Sequence, residues 1–261
     1  MKRDRQSLNT RQARMLSMIR ERQQIKVEEL ARAFNVSLMT VRRDLQTLED
    51  LRLISRFYGG ASVNPRTAPA SMKDDVALCR QLIARYAATL IRNGETLFIN
   101  GSDTALGLIE FTGERSFTAV TNNGNAVNCC LPAGVNLTLL GGTLRGQSRT
   151  MTGDNTLRNL LMTTADRAFL GCAGLSADGE MLCGIPAELA VNETMIAHAR
   201  EYYILADHTK LGKSGTCASF SLEKTGTVIT DEHAPADVVA QLRAIGMTVI
   251  QVKRDDFPEF L

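Results

Sequence analysis

Apolar residues near the N-terminus recur with the period of an α-helix. In residues 27–34 they occupy positions i, i+3, i+4 and i+7, which predicts an amphipathic helix with one buried face. Residues 38–48 repeat this spacing, so Leu38 and the later apolar residues of that run are expected to face inward. Residues 11–22 supply a further amphipathic helix. These helices together predict a small helical core.

A tight turn is predicted at Asn35-Val36, between the helices over 27–34 and 38–48. The hydroxyl of Ser37 can cap the helix over 38–48 by accepting a free backbone N–H. The candidate DNA-binding residues on and beside the outward face of that helix are Ser37, Met39, Thr40, Arg42, Arg43, Gln46 and Thr47. Arginine can bind guanine through paired hydrogen bonds, so this face is typical of a helix that enters the major groove. An all-α domain with an ordinary solvated face is the alternative.

A more specific pattern extends over residues 37–61. It consists of Ser37-x-x-Thr40-x-Arg42-Arg43-Asp44-Leu45, followed by Arg56-x-x-Gly59-Gly60-Ala61. This combination resembles the N-terminal signature of the DeoR-type bacterial transcription regulators. The resemblance implies a winged helix-turn-helix in which residues 53–58 form the wing, with its turn at Gly59-Gly60. It also implies that Arg56 and Tyr58 contact DNA.

From residue 75 the pattern changes to helices that alternate with short, continuously apolar runs. The predicted strands are 96–99, 117–121, 136–140, 167–171, 202–206, 226–230 and 247–252, and the predicted helices are 75–92, 104–111, 124–131, 186–199 and 235–244. Such alternation predicts a mostly parallel sheet that is covered on both faces. The expected fold class is therefore α/β, with a winged helix-turn-helix in front of it.

Charge is divided unevenly between the two predicted domains. Residues 1–60 hold 13 Lys and Arg against 7 Asp and Glu, whereas residues 61–261 hold 17 against 21. The N-terminal part is therefore the one suited to a polyanion. We expect a DNA-binding domain over 1–61, a linker with prolines and small polar residues over 62–72, and an α/β effector-sensing and oligomerisation domain over 73–261.

Cysteines and histidines are scattered along the chain. The six cysteines form no C-x-x-C pair, which predicts reduced thiols without a metal site or cofactor. The polar N-terminus does not have the pattern of a secretion signal, and no apolar segment is long enough to span a bilayer. The sequence therefore predicts a cytoplasmic protein with no membrane partner.

Small and polar residues follow several of the predicted strands, at 100–104, 121–124, 141–143 and 171–174. Ligands of parallel sheets bind at the carboxyl ends of strands, where such residues allow close approach and supply hydrogen bonds. Glycine and asparagine also end strands for purely conformational reasons, so each loop alone is equally compatible with a simple turn.

The order of these loops, together with Phe169-Leu170-Gly171 and Ala206-Asp207-His208-Thr209-Lys210, resembles the DeoR-type sensor domain. That domain is similar to ribose-5-phosphate isomerase, and the resemblance implies that a phosphorylated sugar acts as the effector. The implied effector-binding residues are Gly101, Ser102, Asp103, Thr104, Thr121, Asn122, Asn123, Gly142, Gly171, Glu188, Asp207 and Lys210. Ser102 and Thr104 would hold the phosphate, Lys210 would balance its charge, and Asp207 would bond sugar hydroxyls.

Two positions depart from the family pattern. Asp103 stands where the family usually has Ser or Thr, and a carboxylate there would repel a phosphate unless it points to solvent or meets a hydroxyl or amine. Asn192 stands where many members have Lys, which removes a positive charge near the expected site.

These patterns leave three functions to compare. The first is a non-enzymatic DNA-binding regulator, a repressor of carbohydrate-catabolism genes, whose operator affinity changes when a phosphorylated sugar or related metabolite binds. The second is a sugar-phosphate isomerase-like enzyme with a DNA-binding appendage. The third is a DNA-binding protein whose C-terminal domain only oligomerises. One recognition helix reads too few base pairs for genomic selectivity, so a homodimer or homotetramer is expected.

Overall fold

The computed structural model describes residues 10–22, 24–34, 36–50, 54–57, 60–63, 72–145, 149–213, 219–222 and 226–257. The chain divides into two compact units, Met1–Ala77 and Leu78–Leu261. Among the helices in the described ranges, none combines the length and the apolar character that crossing a membrane requires.

The N-terminal unit is a helix-turn-helix followed by a β-hairpin. Its elements are α1 (Thr10–Arg22), β1 (Gln24–Lys26), α2 (Val27–Phe34), α3 (Leu38–Asp50), β2 (Ile54–Phe57) and β3 (Gly60–Val63). The strands form an antiparallel sheet in the order β1-β3-β2. This arrangement confirms the predicted winged helix-turn-helix, because the β2–β3 hairpin occupies the place of the wing.

Apolar residues of all three helices meet in one buried cluster, as their spacing predicts, with the exception of Leu38. Leu38 is 42% exposed, so its predicted inward orientation is wrong. It is the first residue of α3, and the buried face of the helix begins one turn later, at Val41. Val36, in the preceding turn, packs against the cluster instead, and its backbone N–H bonds the carbonyl of Ala31 at 3.1 Å.

The turn of the wing was predicted at Gly59-Gly60. Gly60 is the first residue of β3, where it pairs with Phe57 of β2 and with Lys26 of β1. A hairpin that is closed by the Phe57–Gly60 pair has Gly60 as the last residue of its turn, not as a central one. Tyr58 and Gly59 lie outside the described residues. β3 continues to Val63, so strand pairing reaches into the segment that was expected to be a linker.

A buried carboxylate joins α3 to α1. The side chain of Asp44 is only 6% exposed, and its Oδ2 accepts a hydrogen bond from Arg11 Nε at 2.7 Å. Its Oδ1 accepts from Gln12 Nε2 at 3.1 Å and from Arg11 Nη2 at 3.3 Å. The hydrogen bond with Asp44 raises the pKa of Arg11. These bonds fix the rotation of α3 about its axis and therefore determine which of its residues are exposed.

The C-terminal unit is built on a large parallel sheet. Its strands are β4 (Thr96–Ile99), β5 (Phe117–Thr121), β6 (Val135–Leu139), β7 (Thr143–Leu144), β8 (Met151–Thr152), β9 (Ala165–Gly171), β10 (Gly174–Leu175), β11 (Glu180–Leu182), β12 (Ala199–Leu205), β13 (Ser219–Ser221), β14 (Thr227–Asp231) and β15 (Thr248–Val252). Its helices are α4 (Met72–Thr89), α5 (Asp103–Leu106), α6 (Asp154–Leu161), α7 (Pro186–Ala197) and α8 (Ala236–Ala244), with 3₁₀ helices at Gly107–Phe111, Gly124–Asn128, His208–Lys210 and Arg254–Asp256.

The seven strands of this sheet lie in the order β6-β5-β4-β9-β12-β14-β15, and neighbouring strands run parallel. The strand β4 shows how both faces are covered. Phe98 belongs to the apolar cluster on one face, whereas Leu97 and Ile99 belong to the cluster on the other. The predicted α/β class with a parallel sheet is confirmed, and every predicted strand is present within three residues of its expected limits.

Three helical segments differ from the expectation. The helix predicted over 104–111 is a short α-helix, α5, followed by a 3₁₀ helix over Gly107–Phe111. The helix predicted over 124–131 is a 3₁₀ helix that ends at Asn128, because Cys129 has an extended backbone. The helix α6 was not predicted from the sequence. The remaining strands form two small antiparallel sheets, β7-β8 and β10-β11-β13.

The Asp44 bonds generate a prediction for the stability of the N-terminal unit. Asp44→Ala should lower its free energy of unfolding by about 1–3 kcal/mol, because charge-assisted hydrogen bonds are lost. Denaturant unfolding of the full-length protein, followed by far-ultraviolet circular dichroism, measures the change. Glu28→Ala is the matched control, because it removes an exposed carboxylate from the same unit. Equal unfolding midpoints for the two variants would contradict the assigned role of Asp44.

Candidate functional site

The first candidate site is the outward face of α3. The hydroxyl of Ser37 accepts the backbone N–H of Thr40 at 3.2 Å, so Ser37 caps the helix as expected. Arg42, Arg43 and Gln46 are exposed. Thus the outward half of α3 carries hydrogen-bond donors while Asp44 anchors its inner half.

The other predicted DNA-binding residues are placed less uniformly. Met39 is 72% exposed, whereas Thr40 and Thr47 are partly buried. The Thr47 hydroxyl donates to the carbonyl of Arg43 at 3.2 Å, within the helix. The backbone of Arg56 lies in β2, and Tyr58 is outside the described residues.

The second candidate site lies between β4 and β9, where the order of the strands in the large sheet reverses. β4 is followed by β5 and β6 on one side, and β9 is followed by β12, β14 and β15 on the other. Ligands of open parallel sheets bind outside the carboxyl ends of the strands at such a switch point. A cavity of about 590 Å³ lies there, lined by residues 100–104 after β4 and by residues 171–173 after β9.

Asn100 holds the two strand ends together at this cavity. Its Oδ1 accepts from the backbone N–H of Gly171 at 2.9 Å and of Ser102 at 3.2 Å. Its Nδ2 donates to the carbonyl of Gly171 at 2.8 Å and to Asn192 Oδ1 at 3.0 Å. All four hydrogen-bonding positions of this buried amide are therefore used.

The floor of the cavity requires glycine at two positions. A Cβ atom on Gly171 would lie 2.0 Å from Ser102 Oγ, and one on Gly101 would lie 1.9 Å from Thr150 Cγ2. Both distances are far below van der Waals contact. The loop after β4 can approach the end of β9 and Thr150 this closely only because these residues have no side chain.

Eight of the residues expected from sequence to bind the effector line this cavity. They are Gly101, Ser102, Asp103, Thr104, Asn122, Gly171, Glu188 and Lys210. Other lining residues were not among the expected effector-binding residues, and they include Arg80, Arg145, Cys172 and Cys183. Arg80 lies on α4, ahead of the first strand of the sheet, and no local pattern marks it.

The other four expected effector residues do not line the cavity. The Thr121 hydroxyl accepts the backbone N–H of Asn123 at 3.0 Å, and Asn123 Nδ2 donates to the carbonyl of Gly101 at 3.2 Å. These two residues therefore support the loops of the site. Gly142 precedes β7, away from the lining residues.

Asp207 is the fourth of these residues, and both of its carboxylate oxygens are hydrogen-bonded within the protein. Its Oδ2 accepts from Arg80 Nε at 2.7 Å, and its Oδ1 accepts from the backbone and hydroxyl of Thr209. Burial raises the pKa of Asp207, but the hydrogen bonds from Thr209 and Arg80 outweigh this effect and lower it. Asp207 is thus an ionised partner that positions Arg80 beside the cavity.

The charged lining residues differ in how they are held. Lys210 Nζ donates to the carbonyl of Cys172 at 2.7 Å, which places an ammonium group at the wall. The side chain of Arg80 is 45% exposed, and Arg145, directly after β7, is exposed as well. Glu188 Oε1 accepts from the hydroxyl of Thr150 at 2.9 Å.

Asp103, the first departure from the family pattern, is exposed, and one of its two carboxylate oxygens accepts hydrogen bonds. Its Oδ1 accepts from Asn123 Nδ2 at 3.1 Å and from Asn125 Nδ2 at 2.9 Å. The two amides hold the carboxylate at the rim, where water screens its repulsion of an anion.

Asn192, the second departure, is buried in the wall. Its Oδ1 accepts from Asn100, and its Nδ2 donates to Cys183 Sγ at 3.3 Å. Asn192 itself therefore supplies no charge behind Asn100. Burial raises the pKa of Cys172, another lining residue, to about 11, so this thiol is protonated near neutral pH.

Asn122 presents an acceptor that the protein itself does not use. Its Nδ2 donates to the carbonyl of Met151 at 2.9 Å, while its Oδ1 is buried without a hydrogen-bond partner. A buried acceptor in this state is costly, and a ligand hydroxyl or amine could satisfy it after a small adjustment.

A separate cluster of side chains lies on the C-terminal unit, outside the lining of the cavity. The sequence predicts scattered cysteines and histidines, but the structure brings one potential ligand atom each of Cys79, Asp231 and His233 within 4.8 Å of one another. These three residues are scattered along the chain and come together because α4 and the end of β14 meet in the fold.

Comparisons with known proteins agree with this two-part architecture. Residues 77–232 match the model of the DeoR C-terminal sensor domain, and residues 11–67 match that of the DeoR-like helix-turn-helix domain. The chain is 28% identical over 250 residues to a putative aga operon transcriptional repressor of Escherichia coli O157:H7, covering 93% of each protein. It is 29% identical over 233 residues to the glycerol-3-phosphate regulon repressor of Escherichia coli K12, covering 87% of this chain and 92% of that protein.

A further relative is the lactose phosphotransferase system repressor of Staphylococcus epidermidis, 27% identical over 224 residues, with 83% of this chain and 89% of that protein covered. Among solved structures, ribose 5-phosphate isomerase from Plasmodium falciparum is similar over 53% of this chain and 55% of that one, with 13% identity and a TM-score of 0.38. A similarity of shape this low supports no conclusion about activity.

The sensor-domain match alone covers more than half of the chain, and the helix-turn-helix match accounts for most of the remainder. The chain therefore belongs to the DeoR family of transcription regulators.

Proposed function

We propose that the protein is a repressor that binds a double-stranded DNA operator through α3 and responds to a phosphorylated sugar or a related metabolite in the C-terminal cavity. The names of its relatives describe repressors of a glycerol-3-phosphate regulon and of a lactose phosphotransferase system. They support carbohydrate genes as the targets here.

The charge of the cavity carries the proposal of an anionic effector. Arg80, Arg145 and Lys210 contribute positive charge, against Asp103 and Glu188. Asp207 pairs with Arg80, and Asp103 is held at the exposed rim by two asparagine amides. The partly buried ammonium of Lys210 and the exposed guanidinium of Arg145 are therefore the positive groups that can attract an anion. Amides and hydroxyls on the loops after β4 and β5 complement a polyol. An anion with several hydroxyl groups meets both requirements.

An enzymatic function has less support from the site. Nucleophilic catalysis by a thiol requires a thiolate, but Cys172 has its pKa raised to about 11 by burial. The carboxylate of Asp207 is bonded to Arg80 and Thr209, so it does not face a substrate as a base. The relatives with which the chain aligns are named as transcriptional repressors.

The oligomeric state stays a prediction. Two copies of α3 that dock on one face of DNA would read half-sites about 34–36 Å apart, or a multiple of that distance. Sedimentation of the full-length protein at micromolar concentration should give a dimer or tetramer, and a monomer both with and without DNA would contradict it.

Arg43 is expected to read a base. Arg43→Ala should abolish operator-specific binding while the fold is retained, because a paired Arg–guanine contact contributes about 1–3 kcal/mol of discrimination. Arg42→Ala should instead weaken binding to all sequences and reduce the salt slope by about one. Gel-shift titration over several salt concentrations measures both effects, with Arg32→Ala on α2 as the control. Unchanged operator affinity in Arg43→Ala would refute the role of α3.

Lys210 is expected to bind the anionic group of the effector. Lys210→Ala should weaken binding of phosphorylated sugars by roughly ten- to a hundredfold, because a charge-assisted hydrogen bond is lost, while operator binding without sugar is unchanged. Calorimetric titration with a panel of phosphorylated sugars measures the loss. Lys213→Ala is the control, since Lys213 is exposed and is not a lining residue. Equal losses in both variants would remove Lys210 from the site.

Asp103 is expected to limit the affinity for anions. Asp103→Asn removes the charge but keeps an acceptor for Asn123 and Asn125, so affinity for phosphorylated sugars should rise by up to about fivefold. The gain should shrink as ionic strength increases. The same titration applies, with Asp154→Asn on α6 as the control for charge alone. A loss of affinity would mean that the carboxylate bonds the effector.

A further inference from the structure

The cluster of Cys79, Asp231 and His233 has the composition of a transition-metal site. Cys79 and Asp231 are 4% and 1% exposed, whereas His233 is exposed. Sulfur, imidazole nitrogen and carboxylate oxygen are the donors that zinc prefers, and such ions commonly take three protein ligands and one water. The exposed imidazole gives an ion a path of entry from solvent.

The carboxylate of this cluster is held by a second histidine. His208 donates its backbone N–H to Asp231 Oδ2 at 2.7 Å, and its Nδ1 lies 2.9 Å from Oδ1. The backbone N–H of His233 also bonds Oδ1, at 3.0 Å. The rings of His208 and His233 meet edge to face, with centroids 5.5 Å apart. Metal-binding carboxylates are commonly oriented by such outer hydrogen bonds.

We propose that Cys79, Asp231 and His233 bind one divalent transition-metal ion of the zinc class, with His208 as the positioning residue for Asp231. On binding, the sulfur of Cys79 forms a bond to the ion and its thiol proton passes to solvent, with no change in oxidation state. Tetrahedral ligands lie roughly 3.3–3.6 Å apart. The candidate ligand atoms lie within 4.8 Å of one another, so coordination requires them to move closer together, and the exposed side chain of His233 is the least confined of the three.

This site is connected to the effector cavity through neighbouring residues on both sides. Cys79 precedes Arg80 on α4, and His208 follows Asp207, which bonds Arg80 at 2.7 Å. An ion that ties α4 to the end of β14 would also fix the backbone beside the Arg80–Asp207 pair. The metal site itself does not depend on the identity of the effector.

Cobalt titration of the full-length, reduced and metal-free protein tests the proposal. Co²⁺ should bind at one ion per chain with a thiolate-to-metal charge-transfer band, and Zn²⁺ should displace it. Cys79→Ser should lose the charge-transfer band, and His233→Gln, which changes an exposed residue, should weaken Co²⁺ binding at least tenfold. Cys130→Ser and His198→Gln are the controls, since both lie outside the cluster, and they should bind as the unaltered protein does.

The positioning role of His208 has its own measurement. His208→Ala should weaken Co²⁺ binding by roughly ten- to a hundredfold while keeping the charge-transfer band, as loss of an outer hydrogen bond does. Affinity should fall as the pH is lowered, because protons compete for the thiolate and the imidazole. A band that persists in Cys79→Ser, or binding that His233→Gln leaves unchanged, would overturn the proposal. So would the absence of Co²⁺ binding at micromolar concentration.

Discussion

The hydrogen bonds of Asn100 are the constraint on which the C-terminal unit depends. Strands β4 and β9 are neighbours in the sheet, yet Asn100 and Gly171 are 71 residues apart in the chain. One buried amide bonds both backbone groups of Gly171 and uses its remaining donor and acceptor on Asn192 and Ser102. The two strand ends are thereby held at a fixed separation, and the loops that begin there form the cavity.

Two carboxylates near the cavity, Asp207 and Asp103, are hydrogen-bonded by donors of the protein itself, and this affects which ligands the cavity can attract. Asp207 is bonded by Arg80 and Thr209, and Asp103 by two asparagine amides. The positive groups at the wall then favour an anion. A similar arrangement occurs in the N-terminal unit, where Asp44 bonds Arg11 while Arg42 and Arg43 of α3 are exposed.

Local patterns predicted the elements of both units, because helical and strand periodicity depend on neighbouring residues. They also predicted most of the loops that line the cavity, since small polar residues at strand ends are a local signal. The errors concern partners that are distant in sequence. Asp207 is bonded by Arg80, 127 residues earlier, and Cys79 meets His233 only through the packing of α4 against β14. Periodicity also failed at Leu38, where the helix begins before its buried face does.

We infer that the cavity between the ends of β4 and β9 is the sensor site. Hydrogen–deuterium exchange of the full-length protein tests it most directly, with and without a phosphorylated sugar selected by a thermal-shift screen. Slower exchange is expected at residues 100–104 and 171–173 when the sugar is present. Protection that is confined to other segments, with these two loops unchanged, would contradict it.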